Sequence, residues 1–360
     1  EICACLVGSE MCIRDSSNII IPMNTDLSGK SLLVVGAGGF IGGFIARKGL
    51  DRGMDVTVAV RATTSRRYLT DSRLKFIVLD YDDPTALTCE IERSPRWDYI
   101  IYNLGATKAV NYGDFRRVNF EYLRLFCDIL KETNHVPDRL LFMSSLSALG
   151  AGDEKGYTPL SETTVPHPDT RYGQSKILAE QFLEHMAGIP YIIFRPTGVY
   201  GPHEKDYLMM VKCIDSHFDF GVGMKRQELT FIYVDDLVNA MFDALASGVE
   251  NRKYIIAEPR SYTQKEFRKI VAEELGKKWV IPVRLPLWAA WVVSAIAGKV
   301  ARWQMKASTL NLDKFRIMRQ RNWRADITPA QREFGFAPKI DLREGIRRTV
   351  EAYRKTNDTK

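Results

Sequence analysis

A chain of 360 residues, 45% hydrophobic and 26% charged, has room for one large α/β domain with a lobe, or for two domains. Its ordinary composition, without repeats or low-complexity tracts, excludes fibrous and extensively disordered classes. The net charge of +7 comes with no nucleic-acid motif, so nucleic-acid binding is not expected.

Residues 1–22 lack the basic start and apolar run of a signal peptide. The stretch around MCIRDS resembles translated sequencing-adapter read-through, so 1–22 are expected to be non-native or disordered, with the protein proper starting at Met23. Three of the six cysteines fall in that stretch; no C-x-x-C occurs, and the five histidines form no ligand pattern. Neither a metal site nor a disulfide framework is indicated, and a reducing cytoplasm is the expected location.

From Met23 onward, short apolar runs alternate with helical patterns. Ser31–Val35 reads as a strand leading into a glycine turn and a helix to about Arg52. Asp55–Arg61, Lys75–Leu79, Tyr99–Asn103, Arg139–Met143 and Tyr191–Arg195 continue the strands, and Asp114–Thr133 and Tyr172–Ala187 read as helices. Apolar strands spaced by helices predict an α/β fold, a Rossmann-type doubly wound parallel sheet, because crossover helices are what join parallel neighbours. Its ligand should lie beyond the carboxyl ends of the strands.

Past Pro196 the rhythm changes. Residues 196–230 and 257–356 are expected to form a smaller C-terminal α/β substrate lobe, with 231–256 returning to the Rossmann domain of 23–195. Leu229–Val234 reads as a strand and a helix follows from Asp235. Leu285–Gly298 carries no charge but falls short of the roughly 20 residues that cross a bilayer. A buried lobe helix is the expected reading, with a membrane-surface contact or an apolar substrate entrance as the alternatives. Between Lys299 and Arg324, eight basic residues face one acid, Asp313, which reads as a solvated face or as a contact for an anionic surface or acidic substrate.

The first predicted strand runs into Gly36-Ala37-Gly38-Gly39-Phe40-Ile41-Gly42. Glycines at Gly36, Gly39 and Gly42 allow a sharp turn, close approach to a pyrophosphate and tight packing of helix on strand. The helix N-terminus offers free N–H groups to phosphate. An NAD site places an acid at the end of the second strand, whereas this chain has Val60 and Arg61 there, followed by Arg66 and Arg67. A guanidinium grips a 2′-phosphate that a carboxylate would repel, so NADP(H) is favoured over NAD(H). Asp80, after the third strand, is a candidate acceptor for the adenine amino group.

Tyr172 and Lys176 form a Y-x-x-x-K whose spacing puts both on one helix face. The ammonium is expected to lower the tyrosine pKa so that the phenol can exchange a proton with a substrate oxygen. The pair alone is a chance-level match in a chain with 15 tyrosines, but Ser144-Ser145 at the end of the preceding strand supplies a hydroxyl to hold that oxygen.

These residues, with Asn103–Ala106 (NLGA), Val118-Asn119, Ser144–Gly150 (SSLSALG), Arg195–Pro202 (RPTGVYGP) and Tyr233–Asp236 (YVDD), resemble the extended short-chain dehydrogenases/reductases, in the epimerase/dehydratase and 3β-hydroxysteroid dehydrogenase group. The resemblance implies Ser145, Tyr172 and Lys176 as the catalytic triad and Asn119 as holder of a proton-relay water. It implies cofactor contacts at Phe40, Ile41, Tyr81, Leu104, Gly105, Ala106, Lys176, Pro196 and Val199. It also implies a homodimer packed through Asp114–Thr133 and Tyr172–Ala187.

Two departures from the group's pattern bear on the reaction. Gly198 stands where many nucleotide-sugar enzymes have Asn, and Leu229 and Thr230 lie where they carry a diphosphate-binding Arg, although Arg226 is close. The leading expectation is therefore NADP(H)-dependent interconversion of a carbonyl and a secondary alcohol on an uncharged or weakly charged small molecule, with the Trp288/Trp291 segment helping to cover the pocket. The alternatives are a nucleotide-sugar epimerase or dehydratase with tightly bound NAD, and a non-catalytic NAD(P)-binding scaffold.

Overall fold

The computed structural model describes residues 25–304 and 311–358. The segment 1–22 and Lys306 lie outside the described residues.

Seven parallel strands form the central sheet: β1 (Ser31–Val35), β2 (Asp55–Val60), β3 (Lys75–Val78), β4 (Tyr99–Tyr102), β5 (Arg139–Met143), β6 (Tyr191–Pro196) and β7 (Arg252–Ile256). Their order is β7-β6-β5-β4-β1-β2-β3. The six strands expected before Pro196 are all present, each ending within one residue of the reading, and β7 returns from the far side of the lobe to pair with β6. Strand order reverses between β1 and β4, and that switch opens a crevice at their carboxyl ends.

Two-residue periodicity puts the sheet's side chains into two cores. Leu32, Val34, Val56 and Ile101 pack on one face, and Leu33, Val35, Ile100 and Tyr102 on the other. Helix α1 (Phe40–Asp51) covers the first face. The second is covered by α2 (Pro84–Arg93), by the continuous helix α3 (Tyr112–Arg116, the π-turn Arg117–Glu121 and Tyr122–Glu132) and by α4 (Arg171–His185).

Past β6 the chain forms α5 (Asp206–Asp215) and three two-stranded ribbons. Gly198–Tyr200 pairs Phe231–Tyr233, Glu228–Leu229 pairs Tyr262–Thr263, and Phe218–Val222 pairs Ile281–Leu285. The single strand expected over Leu229–Val234 is thus divided at Thr230, whose hydroxyl bonds Trp323 O and turns the chain from one ribbon to the next. Helices α6 (Val234–Ala246), α7 (Gln264–Leu275), α8 (Leu287–Trp303), α9 (Leu312–Arg319), α10 (Thr328–Phe334) and α11 (Leu342–Asp358) complete the chain. Among the described residues no helix is long and apolar enough to cross a membrane.

Two expectations for the lobe change. Helix α8 is not a buried helix: it turns Ala290 and Ser294 inward and presents Trp288, Trp291 and Ile296 to solvent at 73%, 52% and 58% exposure. Nor is the basic stretch a free solvated face. Lys314 pairs with Asp206, Arg316 with Asp313, Arg319 with Asp169 and Arg321 with Glu154, while Arg324 donates to Tyr157 O. The contacts of Arg319, Arg321 and Arg324 tie the C-terminal segment to the loop leading into α4.

Beneath that helix lies a fully buried ion pair. Arg195 reaches Glu180 through Nε at 3.0 Å and Nη2 at 2.5 Å, and Ser144 donates to the same carboxylate. Removing one partner of such a pair strands the other charge out of water. Arg195→Met should therefore lose about 3–5 kcal/mol of unfolding free energy, read by urea denaturation. A loss below about 1 kcal/mol would mean the pair does not hold α4 on the sheet.

Candidate active site

β1 ends at Gly36, whose φ of +80° suits glycine. A Cβ there would lie 2.7 Å from Leu104 N, and one on Gly42 would lie 2.4 Å from Gly36 O. The turn can close over β4 only because both positions lack side chains. It delivers the chain into α1, where Gly39 is the N-cap, no side chain caps the helix and no acid stands in the first turn. Free N–H groups and a positive dipole end therefore face the crevice, which fits a pyrophosphate.

The crevice is a cavity of 690 Å³ lined by Gly36, Gly39, Phe40, Ile41, Arg61, Tyr81, Leu104, Gly105, Ser145, Tyr172, Lys176, Pro196 and Val199, all expected from sequence. Thr63, Thr64, Ser65, Thr107 and Glu204 also line it and were missed. The T-T-S run after β2 was the available signal. Thr64 Oγ1 accepts the Arg61 N–H at 3.0 Å, so Arg61 and three hydroxyls curl around one spot where the NAD-type acid would stand.

Other expected residues lie elsewhere. The Arg66 guanidinium sits 4.5 Å over the Phe76 ring, outside the lining, because the loop turns back onto β3. Asp80 is exposed and its carboxylate accepts the Asp82 N–H at 3.0 Å, closing its own turn instead of facing the cavity. Gly42 packs under the turn. Asn119 is buried in the π-turn of α3, where Oδ1 accepts from Ala106 N at 2.7 Å and Nδ2 donates to Ala106 O at 3.1 Å and Ser175 Oγ at 2.9 Å. It braces Ala106 against α4, and neither residue lines the cavity.

Tyr172 and Lys176 stand one turn apart on α4. Thr170 caps that helix, and Gly173 lets it press onto Ser147 O, 2.2 Å from where a Cβ would be. Lys176 is 3% exposed and donates to Met143 O at 2.7 Å. Burial pulls its ammonium down to about 7, against the opposing influence of Glu180. Burial pushes the Tyr172 phenol up to about 12, with the Ser145 hydroxyl working against it. The expected lowering of the tyrosine by the lysine is not what this structure shows: desolvation raises the phenol, and burial favours the neutral form of both groups.

Beyond Tyr172 and Ser145 a second cavity of 480 Å³ runs into the lobe, walled by Phe115, Leu146, Met210, Phe220, Phe231, Met318 and Trp323. Its lysines, Lys108 and Lys314, are both held by Asp206 at 2.7 and 3.0 Å. Asp219 is held by Arg268 and Arg284. Among the described residues no arginine lines this cavity; Arg226 is 70% exposed and pairs with Glu228. A Cβ on Gly198 would lie 1.9 Å from Tyr207 Oη, so the tyrosine fills the place of the asparagine found there in many nucleotide-sugar enzymes. Trp288 and Trp291, expected to cover the pocket, are not in its lining, because α8 turns them outward.

Fold and crevice together define a Rossmann-type dinucleotide-binding protein. The chain belongs to the NAD dependent epimerase/dehydratase family, whose model matches residues 32–257, and so to the extended short-chain dehydrogenases/reductases. It is 23% identical to a putative UDP-glucose 4-epimerase of Methanocaldococcus jannaschii, over 91% of this chain and 100% of that protein. Identity is 25% to 3beta-hydroxysteroid-dehydrogenase/decarboxylase isoform 1 of Arabidopsis thaliana, over 60% of this chain and 53% of the relative. The fold is shared with dTDP-glucose 4,6-dehydratase of Bacillus anthracis in complex with NAD, at a TM-score of 0.73, 18% identity, and coverage of 92% of this chain and 98% of that one. Members of the family are NAD(P)-dependent enzymes.

The buried lysine sets a test of the site. Unfolded, its pKa returns to 10.5, so between pH 7 and 10.5 the unfolded chain holds the extra proton and folded stability rises with pH. Lys176→Met removes that dependence. Its stability relative to wild type should improve as pH falls across this window, by up to about 1.4 kcal/mol per pH unit, in melts taken from pH 6 to 10. A difference independent of pH would show that the ammonium is not desolvated.

Proposed function

We propose that the chain interconverts a carbonyl and a secondary alcohol on a substrate without a diphosphate, using NADP(H). One observation carries the substrate side: in the cavity reached from Tyr172, walled in part by Phe115, Leu146, Met210, Phe220 and Met318, the lining cations among the described residues are Lys108 and Lys314, and the two share Asp206. A diphosphate there would have only the single net positive charge that Lys108, Lys314 and Asp206 leave between them, and under-compensated buried charge is costly. Arg61 with Thr63, Thr64 and Ser65 supports the 2′-phosphate.

Glycines 36 and 39 and the α1 N-terminus would hold the pyrophosphate, and Lys176, Pro196 and Val199 the nicotinamide end. When bound, the dinucleotide supplies or accepts the hydride. The chain's own part is proton handling. Ser145 and Tyr172 hold the substrate oxygen, and Tyr172, neutral at pH 7 because burial raises it to about 12, is poised to give a proton to that oxygen. This suits reduction at neutral pH; oxidation needs the phenolate and should accelerate as pH rises. Lys176, anchored on Met143 O, keeps its amine beside the reacting group.

A nucleotide-sugar epimerase or dehydratase is the second reading, and the comparisons favour it over the first, through the family description and relatives such as the Methanocaldococcus protein.

NADPH consumption against a panel of ketones and aldehydes separates the two. Wild type should turn over members of the panel and Tyr172→Phe should fall at least about a hundredfold; equal rates would end the proposal. Copurifying NAD together with a thermal shift from micromolar UDP- or dTDP-sugars would establish the second reading. Arg61→Ala should weaken NADPH binding by about 10- to 100-fold and NADH binding little, by fluorescence titration. Equal weakening of both would remove the 2′-phosphate assignment.

A further inference from the structure

Apart from Val78, Val165 and Met209, every exposed large hydrophobic side chain among the described residues lies in two segments, 218–224 and 279–303. The two form one surface. Phe218 and Phe220 project from the same face of the ribbon that pairs Phe218 with Ile281, and Gly223 approaches Leu287 at the start of α8. Helix α8 then adds Trp288, Trp291, Ile296, Val300 and Trp303, the last 86% exposed, while its small residues Ala290 and Ser294 face the protein. An apolar patch of this extent marks a partner surface.

Charge decides which partner. From Gly276 to Leu312 the sequence has no Asp or Glu, but six bases: Lys277, which pairs with Asp215, Arg284, which pairs with Asp219, and Lys278, Lys299, Arg302 and Lys306. Lys278 and Lys299 are exposed at the edge of the patch, and Asp219, the acid within the first segment, is buried against Arg268 and Arg284. A twofold pairing of two copies would bring this cationic rim against itself. An anionic lipid surface complements it instead. The 17 residues of α8 extend about 25 Å, and tryptophans along an outward apolar face suit a helix lying at headgroup depth.

We propose that residues 218–224 and 279–303 form a docking face for an anionic bilayer, on which α8 lies in the interface without crossing it. Phe220 belongs both to this face and to the wall of the lobe cavity, so docking brings the bilayer alongside the space reached from Tyr172.

The test is cosedimentation of the full chain with vesicles of phosphatidylcholine containing phosphatidylglycerol, and with phosphatidylcholine alone. Wild type should bind the anionic vesicles with a blue shift of tryptophan emission, less so at high salt. Trp288→Ser with Trp291→Ser should lose at least about tenfold in partitioning while keeping its thermal melt, since both side chains are exposed. Lys278→Glu with Lys299→Glu, which leaves the apolar face intact, should lose the preference for phosphatidylglycerol. Absence of wild-type binding to either vesicle overturns the proposal. So does analytical ultracentrifugation without lipid in which the tryptophan double variant converts a dimer to a monomer, which would give the face to a second copy. Neither readout depends on turnover, so it stands or falls apart from the proposed reaction.

Discussion

The hydrogen bond from Lys176 to the carbonyl of Met143 joins the helix that carries Tyr172 to the end of the strand that carries Ser145. Taking an ammonium out of water is costly, and the fold bears that cost locally. Glu180, one turn further along α4, lends its charge, and is itself neutralised by Arg195 from β6 and bonded by Ser144. Three neighbouring elements, β5, β6 and α4, are thereby locked together at the crevice floor. The distance between the phenol and the serine hydroxyl follows from that lock, and so does the position of both against the glycine turn.

The same desolvation defines the resting state of the site. Each group is pushed toward its neutral form, so the phenol keeps its proton at neutral pH and the amine gives up its proton more readily than a solvated lysine. A proton donor beside a carbonyl oxygen is what reduction requires. The lobe lines the space beyond this donor. Its wall mixes methionine and aromatic side chains with polar ones such as Gln227, Gln264 and Asn311, while Lys108 and Lys314 share Asp206 and Asp219 is held by Arg268 and Arg284.

Helix α8 shows why hydropathy alone mislocates an element. An uncharged run reads as core, because apolar residues usually go inside. In this chain the residues turned inward are small, and the tryptophans and branched aliphatics point out. Which face of a helix meets the protein is set by the partner it packs on, here Phe315 of α9 and Val222 of the adjoining ribbon.

Sequence by itself determined the sheet, the glycine turn and the Tyr172–Lys176–Ser145 set, because strand periodicity, turn glycines and an i, i+4 pair are local constraints that survive any packing. Those residues do meet in one crevice. What tertiary structure alone decided depends on groups far apart in the chain. Arg66 turns away onto Phe76, while Thr63–Ser65 turn in. Asn119 braces Ala106 through a π-turn that no spacing rule announced. Lys108 and Lys314 of the second cavity share Asp206, about a hundred residues from each in sequence, and Tyr207 fills the space beside Gly198. Burial, which reverses the expected direction of the Tyr172 shift, is a property of the assembled walls and of no residue among them.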